Sequence, residues 1–387
     1  MMIIDSLQYI VFAILAFNVT YLFVFAVTAR LYREKKNGSS VPEIYFSVML
    51  PAYREDAVIL ESAADACVQN YPRHLFEVLV IADSLQPDTL AALKKMPLKT
   101  VEVSFENSTK ARAIEAGLQA TCNEATAIVI LDADNMMEPD FLLKMQRPLL
   151  QGALAVQGHR TAKNMDTDMA RLDAASEEIN NTIFRKGHRV LGLSAALIGS
   201  GMAFERNFFI RHMKQVKAVG GFDKELELGI LKEGIQIEYV EQALVYDEKV
   251  RKNQVFESQR RRWLAAQLHY FRKHAFSGIV HLVKHNNLDY FDKVVQMMLL
   301  PRILLLASTC GLSALSLLVP LKPAPAEWHT LAVICCLSVL LALPGSFFNW
   351  RIFKSLLRLP GALFSLLLAI LKLKGSNQKF IHTPHSN

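Results

Sequence analysis

Two aspartates follow directly after an apolar run in the stretch IVILDADN. Ile128 to Leu131 have the pattern of a fully buried strand, and Asp132 and Asp134 follow it with one alanine between them. Ligands of open α/β sheets bind at the carboxyl ends of strands. Proteins usually hold Mg²⁺ or Mn²⁺ through one or two carboxylates together with substrate phosphates. The pair therefore predicts a metal site that holds a diphosphate, with a simple loop or helix cap as the alternative.

Strands and helices alternate in the part of the chain that contains these aspartates. Apolar runs predict strands at 46–50, 76–81, 99–105 and 127–131, and helical patterns predict helices at 58–69, 89–95 and 110–120. Such alternation indicates a mostly parallel sheet with right-handed crossovers. Polar residues follow three of the strands, at Tyr53-Arg54-Glu55, at Asp83 and at the aspartate pair. We expect them to meet at one sheet edge.

Two common phosphate-binding motifs are missing from these strand–helix turns. The sequence has neither GxGxxG nor GxxxxGK[ST] there. A dinucleotide site of the Rossmann type and a P-loop are therefore excluded as explanations. The metal would have to carry much of the phosphate binding.

The ends of the chain are too apolar for an ordinary soluble protein. Of 387 residues, 52% are hydrophobic. The stretch from Leu7 to Ala29 is uncharged and long enough to cross a ~30 Å hydrocarbon layer. A cleaved signal peptide is the alternative, but the start MMIID lacks its basic region. Residues 1–30 are therefore predicted to be a retained transmembrane anchor.

A second apolar block occupies residues 294–373. Spans are expected at 296–319 and 330–348, whereas 359–371 is too short to cross and could lie in the interface. The region before this block, 258–290, mixes aromatic and basic residues as interfacial amphipathic helices do. The remaining parts are a catalytic-size domain at 41–257 and a tail at 374–387.

Charge predicts the orientation of these segments. Arg30 and Arg33 follow the first apolar stretch, and Arg351 and Lys354 follow the third. Basic loops remain cytoplasmic, so the central domain is expected at the cytoplasmic face of the cell membrane. The net charge of +7 reflects part of this bias. It does not indicate nucleic acid, since no recognised binding module is present.

Seven short motifs, in chain order, carry a family resemblance. They are PAYRE (51–55), IAD (81–83), KARA (110–113), DAD (132–134), GSGMAF (199–204), FDKELEL (222–228) and QRRRW (259–263). In this order they resemble family 2 glycosyltransferases, in the membrane-bound branch of cellulose, hyaluronan and chitin synthases. The resemblance implies an α/β domain of the GT-A type with one N-terminal and two to three C-terminal membrane helices.

The resemblance also implies a role for each motif. Contacts to the nucleotide and its sugar are implied for Ala52, Tyr53, Glu55, Asp83, Lys110 and Asp132, and metal binding for Asp132 and Asp134. Acceptor or diphosphate contacts are implied for Gly199, Ser200, Gly201, Gln259, Arg262 and Trp263. Asp223 matches the general base. Many relatives have Glu-Asp where this chain has Phe222-Asp223, so Glu225 is an alternative base.

The chemistry of the last motif also follows from its spacing. On a helix Gln259, Arg262 and Trp263 share one face. Arginine can bind a phosphate with two parallel hydrogen bonds, and tryptophan offers a flat surface to a sugar ring. A membrane-surface patch at residues 260–262 is the alternative. A solvated loop acid is the corresponding alternative for Asp223.

These observations predict an inverting, metal-dependent hexosyltransferase. It would use a UDP-sugar with Mg²⁺ or Mn²⁺ and extend a β-linked polysaccharide at the cytoplasmic membrane face. The alternative is transfer of one sugar to a lipid acceptor. The expected partners are the donor, a saccharide or lipid-linked acceptor, the lipid bilayer, and a homo-oligomer or export partner. A third class, a non-catalytic membrane partner or transporter, fits poorly because most acidic residues lie in the central domain.

Overall fold

A computed structural model describes residues 2–34, 41–217, 220–249 and 253–371. The strands are β1 (Phe46–Tyr53), β2 (Phe76–Asp83), β3 (Lys99–Val103), β4 (Ala127–Ile130), β5 (Met136–Met137), β6 (Ala155–Ala162), β7 (Met202–Glu205) and β8 (Ile237–Asp247). The helices are α1 (Met2–Thr28), α2 (Ile59–Ala66), α3 (Pro87–Leu93), α4 (Lys110–Ala120), α5 (Phe141–Leu150), α6 (Asp168–Asn181), α7 (His188–Val190), α8 (Arg206–Met213), α9 (Phe222–Lys232), α10 (Asn253–His285), α11 (Leu288–Gln296), α12 (Arg302–Leu315), α13 (Pro325–Ala342), α14 (Trp350–Ser355) and α15 (Leu359–Leu371). The predicted tail, 374–387, lies outside the described residues.

The strands form one mixed sheet in the order β3-β2-β1-β4-β7-β6-β8-β5. The four strands β3, β2, β1 and β4 are parallel, as predicted. Strand β7 runs antiparallel to both of its neighbours, and β5 runs antiparallel to β8. In the second half β6 pairs parallel with β8, so the expectation of a mostly parallel sheet is correct, with β7 and β5 as the two antiparallel strands. Both of these are short, with four and two residues.

Helix α4 has the predicted bounds, and local chemistry explains its start. The Thr109 side chain accepts a hydrogen bond from the backbone N–H of Arg112 at 3.2 Å, which satisfies one free donor of the first turn. Gly117 lets the helix lie close to the sheet, since a Cβ there would be 3.0 Å from the Ile81 side chain. The sheet thus has an apolar core on each face.

The N-terminal helix docks onto the central domain through a π-helical turn, Thr182–Gly187. A Cβ at Gly187 would collide with the Phe25 carbonyl, so only glycine permits this approach. The Phe25 ring stacks on His188 with centroids 3.7 Å apart. Nearer the start of α1, Phe12 meets Trp328 of α13 edge to face at 5.0 Å. Helix α1 therefore joins the domain to the C-terminal helices.

Two helical stretches in the described part of the chain are long and apolar enough to cross a bilayer, judged by length and composition. They are Ile3–Leu31 and Pro325–Ala342. The predicted span 296–319 is interrupted, because α11 ends at Gln296 and α12 has only 14 residues. Helix α15 has 13 residues, as short as expected.

One long helix replaces the expected boundary between the domain and the interfacial region. Helix α10 has 33 residues and begins at Asn253, ahead of the predicted boundary at 257/258. It packs against α11 and α15. The helix thus connects the sheet domain to the C-terminal helices without a hinge at that boundary.

Candidate active site

A cavity of about 850 Å³ opens at the carboxyl ends of the parallel strands. Its walls include all the predicted site residues except Ser200 and Gly201, namely Ala52, Tyr53, Glu55, Asp83, Lys110, Asp132, Asp134, Gly199, Asp223, Gln259, Arg262 and Trp263. These side chains come from positions spread over two hundred residues of sequence. The fold therefore brings the separate motifs to one place.

Strands β1 and β2 end side by side at the wall of the cavity. Tyr53 is paired with Asp83 in the parallel register, and Asp83 is buried. The next residues, Arg54 and Ser84, both adopt positive φ, at 55° and 58°. Such backbone is uncommon for residues other than glycine and clusters at functional sites. The Asp83 carbonyl holds this turn by accepting the Arg54 N–H at 3.1 Å.

Lys110 links the aspartate pair to the glycine loop. Its Nζ donates to the Asp132 carboxylate and, at 2.7 Å, to the Gly199 carbonyl. It also lies 5.1 Å from the centre of the Phe222 ring. The first turn of α4 thus places a cation between the end of β4 and the start of α9.

Ser200 lies behind the wall, where it fixes the loop that carries the aspartates. Its hydroxyl accepts the Asp132 N–H at 2.9 Å and donates to the Asn135 side chain at 2.8 Å. Gly201 is required by its φ of 62° and because a Cβ would be 2.9 Å from Val245. Acceptor or diphosphate contacts were predicted for Ser200 and Gly201, but neither residue lines the cavity, and Ser200 supports the aspartate loop from behind.

Asp134 has an environment that disfavours a lone negative charge. Burial, then the nearby carboxylates of Asp247 and Asp132, raise its pKa well above the ordinary value. A divalent cation would relieve this repulsion, and the carboxylate oxygens are its preferred ligands. Among the described residues no three His, Cys, Asp or Glu side chains form a ready ligand set. The remaining ligands would come from the donor and from water.

Asp223 stands in the first turn of α9, across the cavity from the strand ends. Gly221, with φ of 68°, turns the chain into this helix. A Cβ at Gly199 would lie 3.8 Å from that of Asp223, so the glycine loop and the acid are neighbours. Within the described residues the Asp223 carboxylate has no hydrogen-bond or ion-pair partner, which leaves it able to accept a proton.

Glu225, the alternative base, is engaged elsewhere. Its carboxylate accepts from Lys273 at 2.9 Å and from the backbone N–H of Lys217 at 2.9 Å. It is not among the residues that line the cavity. The geometry therefore favours Asp223.

The last motif faces the cavity from α10. Gln259, Arg262 and Trp263 all line it, and burial lowers the pKa of Arg262. Arg260 lines it as well, where it pairs with Asp173 at 2.6 Å and lies over the Trp263 ring at 4.4 Å. A membrane-surface patch at 260–262 would direct these side chains outward. Arg260 and Arg262 face inward.

Several supporting residues were missed in the sequence. Asp247 ends β8 as Asp83 ends β2, and it accepts from Asn135 at 3.0 Å and from the buried Lys249 at 2.6 Å. The rule that polar residues follow buried strands could have found it. Gln157 could not have been found, since its side chain binds the Ser200 and Gly201 carbonyls across the sheet, at 3.0 and 3.1 Å.

A buried ion-pair network lies next to Asp247. Glu177 of α6 lies 2.9 Å from Arg160 and 3.4 Å from Arg185. Although burial opposes it, the charges of Arg160, Lys249 and Arg185 hold the pKa of Glu177 below its usual range. The network fixes α6 to β6 and forms part of the cavity wall.

Comparisons with known proteins agree with this geometry. A family model described as "Glycosyltransferase like family 2" matches residues 42–266, more than half of the chain. A probable glucomannan 4-beta-mannosyltransferase 14 from Arabidopsis thaliana is 21% identical over 83% of this chain and 64% of its own. A beta-monoglucosyldiacylglycerol synthase from Trichormus variabilis is 28% identical over 51% of this chain and 41% of its own. The chain thus spans less than two thirds of these relatives.

A solved structure shares the fold. It is the mannosyltransferase PcManGT from Pyrobaculum calidifontis, in complex with GDP-Man and Mn²⁺. The TM-score is 0.52 at 18% identity, with 87% of this chain and 97% of that chain covered. At this identity the match establishes the fold and leaves the substrate open.

Proposed function

Because the chain belongs to glycosyltransferase family 2, we propose that the cavity transfers a sugar from a UDP-sugar to a hydroxyl acceptor, with inversion and with Mg²⁺ or Mn²⁺. The observation that carries the proposal is the position of two acidic groups in one cavity. Half-buried Asp134 stands beside Asp132, and Asp223 lies next to the glycine loop in the same cavity. The first pair suits a metal and a diphosphate, and the second group suits a general base.

Different residues of the chain have different roles in a single displacement reaction. Asp223 takes the proton of the acceptor hydroxyl as its oxygen bonds to the sugar carbon. Lys110 and Arg262 place positive charge near the diphosphate that leaves. When bound to Asp132 and Asp134, a divalent ion supplies further charge stabilisation to that leaving group. The ends of β1 and β2, with Ala52, Tyr53, Glu55 and Asp83, hold the nucleotide base.

We place this reaction at a membrane, with the catalytic domain on the cytoplasmic side. Support comes from the two long apolar stretches, Ile3–Leu31 and Pro325–Ala342, and from the basic residues that flank them. The docking of α1 onto the π-helical turn would hold the domain at the bilayer surface. Exposed apolar side chains of α10, among them Phe276 and Ile279, would face the headgroups.

The acceptor has two candidate classes. The motif at 259–263 and the similarity to a glucomannan mannosyltransferase support a growing polysaccharide. The similarity to a glucosyldiacylglycerol synthase supports a lipid, to which a single sugar is added. A polysaccharide product would be a ladder of sizes, whereas a lipid product would be one species.

The test uses the full-length protein in lipid nanodiscs. Release of nucleoside diphosphate is measured across a panel of UDP- and GDP-sugars with Mg²⁺ or Mn²⁺, and the products are sized. Release with a UDP-sugar that stops on chelation of the metal supports the proposal. A GDP-sugar as the only active donor would correct the nucleotide. Absence of both release and nucleotide binding with every donor would overturn the proposal.

A further inference from the structure

The same cavity also has a second region with a different lining. We call this region the apolar chamber. Its walls are aliphatic side chains from α6, α12, α13 and α15, namely Leu172, Ile303, Leu306, Val339, Leu359 and Leu366. A helix of the central domain, α6, meets three C-terminal helices here. The chamber is therefore built by the tertiary structure and continuous with the proposed site.

The lining decides what the chamber can hold. A glycan carries hydroxyls on every face, and each one buried without a partner loses the hydrogen bonds it makes in water. The chamber walls named above offer no side-chain donors or acceptors. An alkyl chain has no such groups and gains by burial. The chamber fits a hydrocarbon chain and not a polysaccharide.

A polar neck separates the chamber from the acidic site. Arg302, at the start of α12, donates to Asn180 at 2.6 Å and to the Ser176 hydroxyl at 2.8 Å. On the other side, Arg260 is paired with Asp173 at 2.6 Å. These groups all line the same cavity. Along α6 the lining passes from Leu172 of the chamber through Asp173 and Ser176 to Glu177, whose partner Arg160 lies 3.9 Å from Asp247. This succession of aliphatic, polar and acidic groups is that of chain, headgroup and reacting hydroxyl in a lipid acceptor.

We infer that the acceptor is a hydroxyl-bearing lipid, with its hydrocarbon chain in the apolar chamber and its headgroup at the neck. This inference rests on the proposed function. The lipid hydroxyl oxygen would bond to the sugar carbon as the bond from that carbon to the diphosphate breaks. The proton would pass to Asp223, and the electron pair would leave on the diphosphate. A phosphate-headed lipid needs no base for this step. Among the described residues the Asp223 carboxylate has no hydrogen-bond or ion-pair partner, which points to a hydroxyl acceptor.

Neighbouring residues of α15 provide a matched pair of variants. Ala362 is buried and lines the cavity, so Ala362→Phe would fill part of the chamber. Gly361 is exposed with open space around its Cβ position, so Gly361→Phe adds the same side chain outside. Leu306→Phe tests the chamber from α12, in case the first variant is unstable. Thermal unfolding of each variant checks the fold.

The first measurement is the KM for soluble acceptors that share one hydroxyl headgroup and differ in chain length. In the wild type KM should fall up to about fourfold per added methylene, the equivalent of ~0.8 kcal/mol. Ala362→Phe and Leu306→Phe should flatten this dependence, and Gly361→Phe should keep it. A KM independent of chain length in the wild type, with normal donor turnover, would overturn the inference and leave the proposed function intact.

A second measurement does not depend on turnover. A hydroxyl-bearing lipid with a photoreactive group on its alkyl chain is irradiated with the wild-type protein in nanodiscs, and labelled peptides are identified. Labelling of 303–306 and 359–366, lowered at least fivefold in Ala362→Phe but not in Gly361→Phe, supports the inference. Equal labelling in both variants, or labelling of outer helix faces only, would overturn it. If donor turnover is absent throughout, the proposed function fails and this labelling still decides the lipid site.

Discussion

The two ends of the cavity are built in different ways. The proposed donor end consists of residues at or just after strand ends: Tyr53 and Asp83 are the last residues of β1 and β2, and Asp132 comes two residues after β4. The apolar chamber is formed by helices from four separate parts of the chain. Local chain geometry thus sets the proposed donor end, whereas the proposed acceptor end depends on how helices pack.

The Asp223 carboxylate lines the cavity beside the Gly199 loop, and its loss should have the largest effect. Asp223→Asn should reduce transfer about 10³-fold because the hydroxyl loses its proton acceptor. Nucleotide binding should persist, since the donor end is intact. Single-turnover kinetics and nucleotide binding check both. Glu225→Gln is the matched control, and a larger loss in that variant would assign the base to Glu225.

The proposed metal site, at Asp132 and Asp134, lies at the donor end of the cavity. Asp134→Asn should reduce transfer about 10²-fold or more, because one charge that holds the metal and diphosphate is removed. The apparent affinity for Mn²⁺ should fall as well. Activity titrated with Mn²⁺ measures both changes. Asp88→Asn, an exposed acid in α3, is the control. Unchanged Mn²⁺ dependence in Asp134→Asn would remove the metal from this position.

The Glu177 network lies between the two ends and should affect stability. Glu177→Gln should lower the free energy of unfolding by about 2 kcal/mol, less than a fully unpaired buried charge would, because Arg160 also lies 3.9 Å from Asp247. Chemical denaturation in detergent measures the change. Glu238→Gln breaks a more exposed pair with Arg189 and should cost under about 1 kcal/mol. Equal losses of stability in Glu177→Gln and Glu238→Gln would contradict a structural role for the Glu177 network.

The Glu177 network also predicts a pH dependence. Its depressed pKa means that the stabilising charge is present above the ordinary pKa of 4.5 and is lost as pH falls. The wild type should therefore lose stability on acidification more steeply than Glu177→Gln. Unfolding measured from pH 7 to pH 4 compares the two slopes. Parallel curves would contradict the prediction.

Ser200 should show the smallest effect. Ser200→Ala removes two hydrogen bonds that position the Asp132 loop, worth about 1 kcal/mol or roughly fivefold in transfer. The chain-length dependence of the acceptor KM should stay unchanged, because the Ser200 hydroxyl bonds to Asp132 and Asn135 and to no residue of the apolar chamber. A changed chain-length dependence would show that the two ends are coupled. Steady-state kinetics with two acceptors of different length is sufficient.

The sequence by itself determined the donor end. The apolar runs predict the parallel strands, and α4 has the bounds expected from KARAIEAGLQA. A buried strand followed by acids places those acids at its carboxyl end, so the positions of Asp83, Asp132 and Asp134 at the sheet edge needed no knowledge of distant contacts. The family motifs added Asp223 and the face of Gln259, Arg262 and Trp263, all of which reach the cavity.

Only the tertiary structure decided the rest. The antiparallel β7 has no local signal, because strand direction depends on the neighbours with which it pairs. The hydrogen bond from the Gln157 side chain to the Ser200 carbonyl depends on contacts far apart in sequence. So does the end of helix α11 at Gln296. Apolar runs show that α12, α13 and α15 are buried in protein or lipid, but not which faces meet. The apolar chamber exists because those faces leave a space that belongs to the same cavity as Asp223.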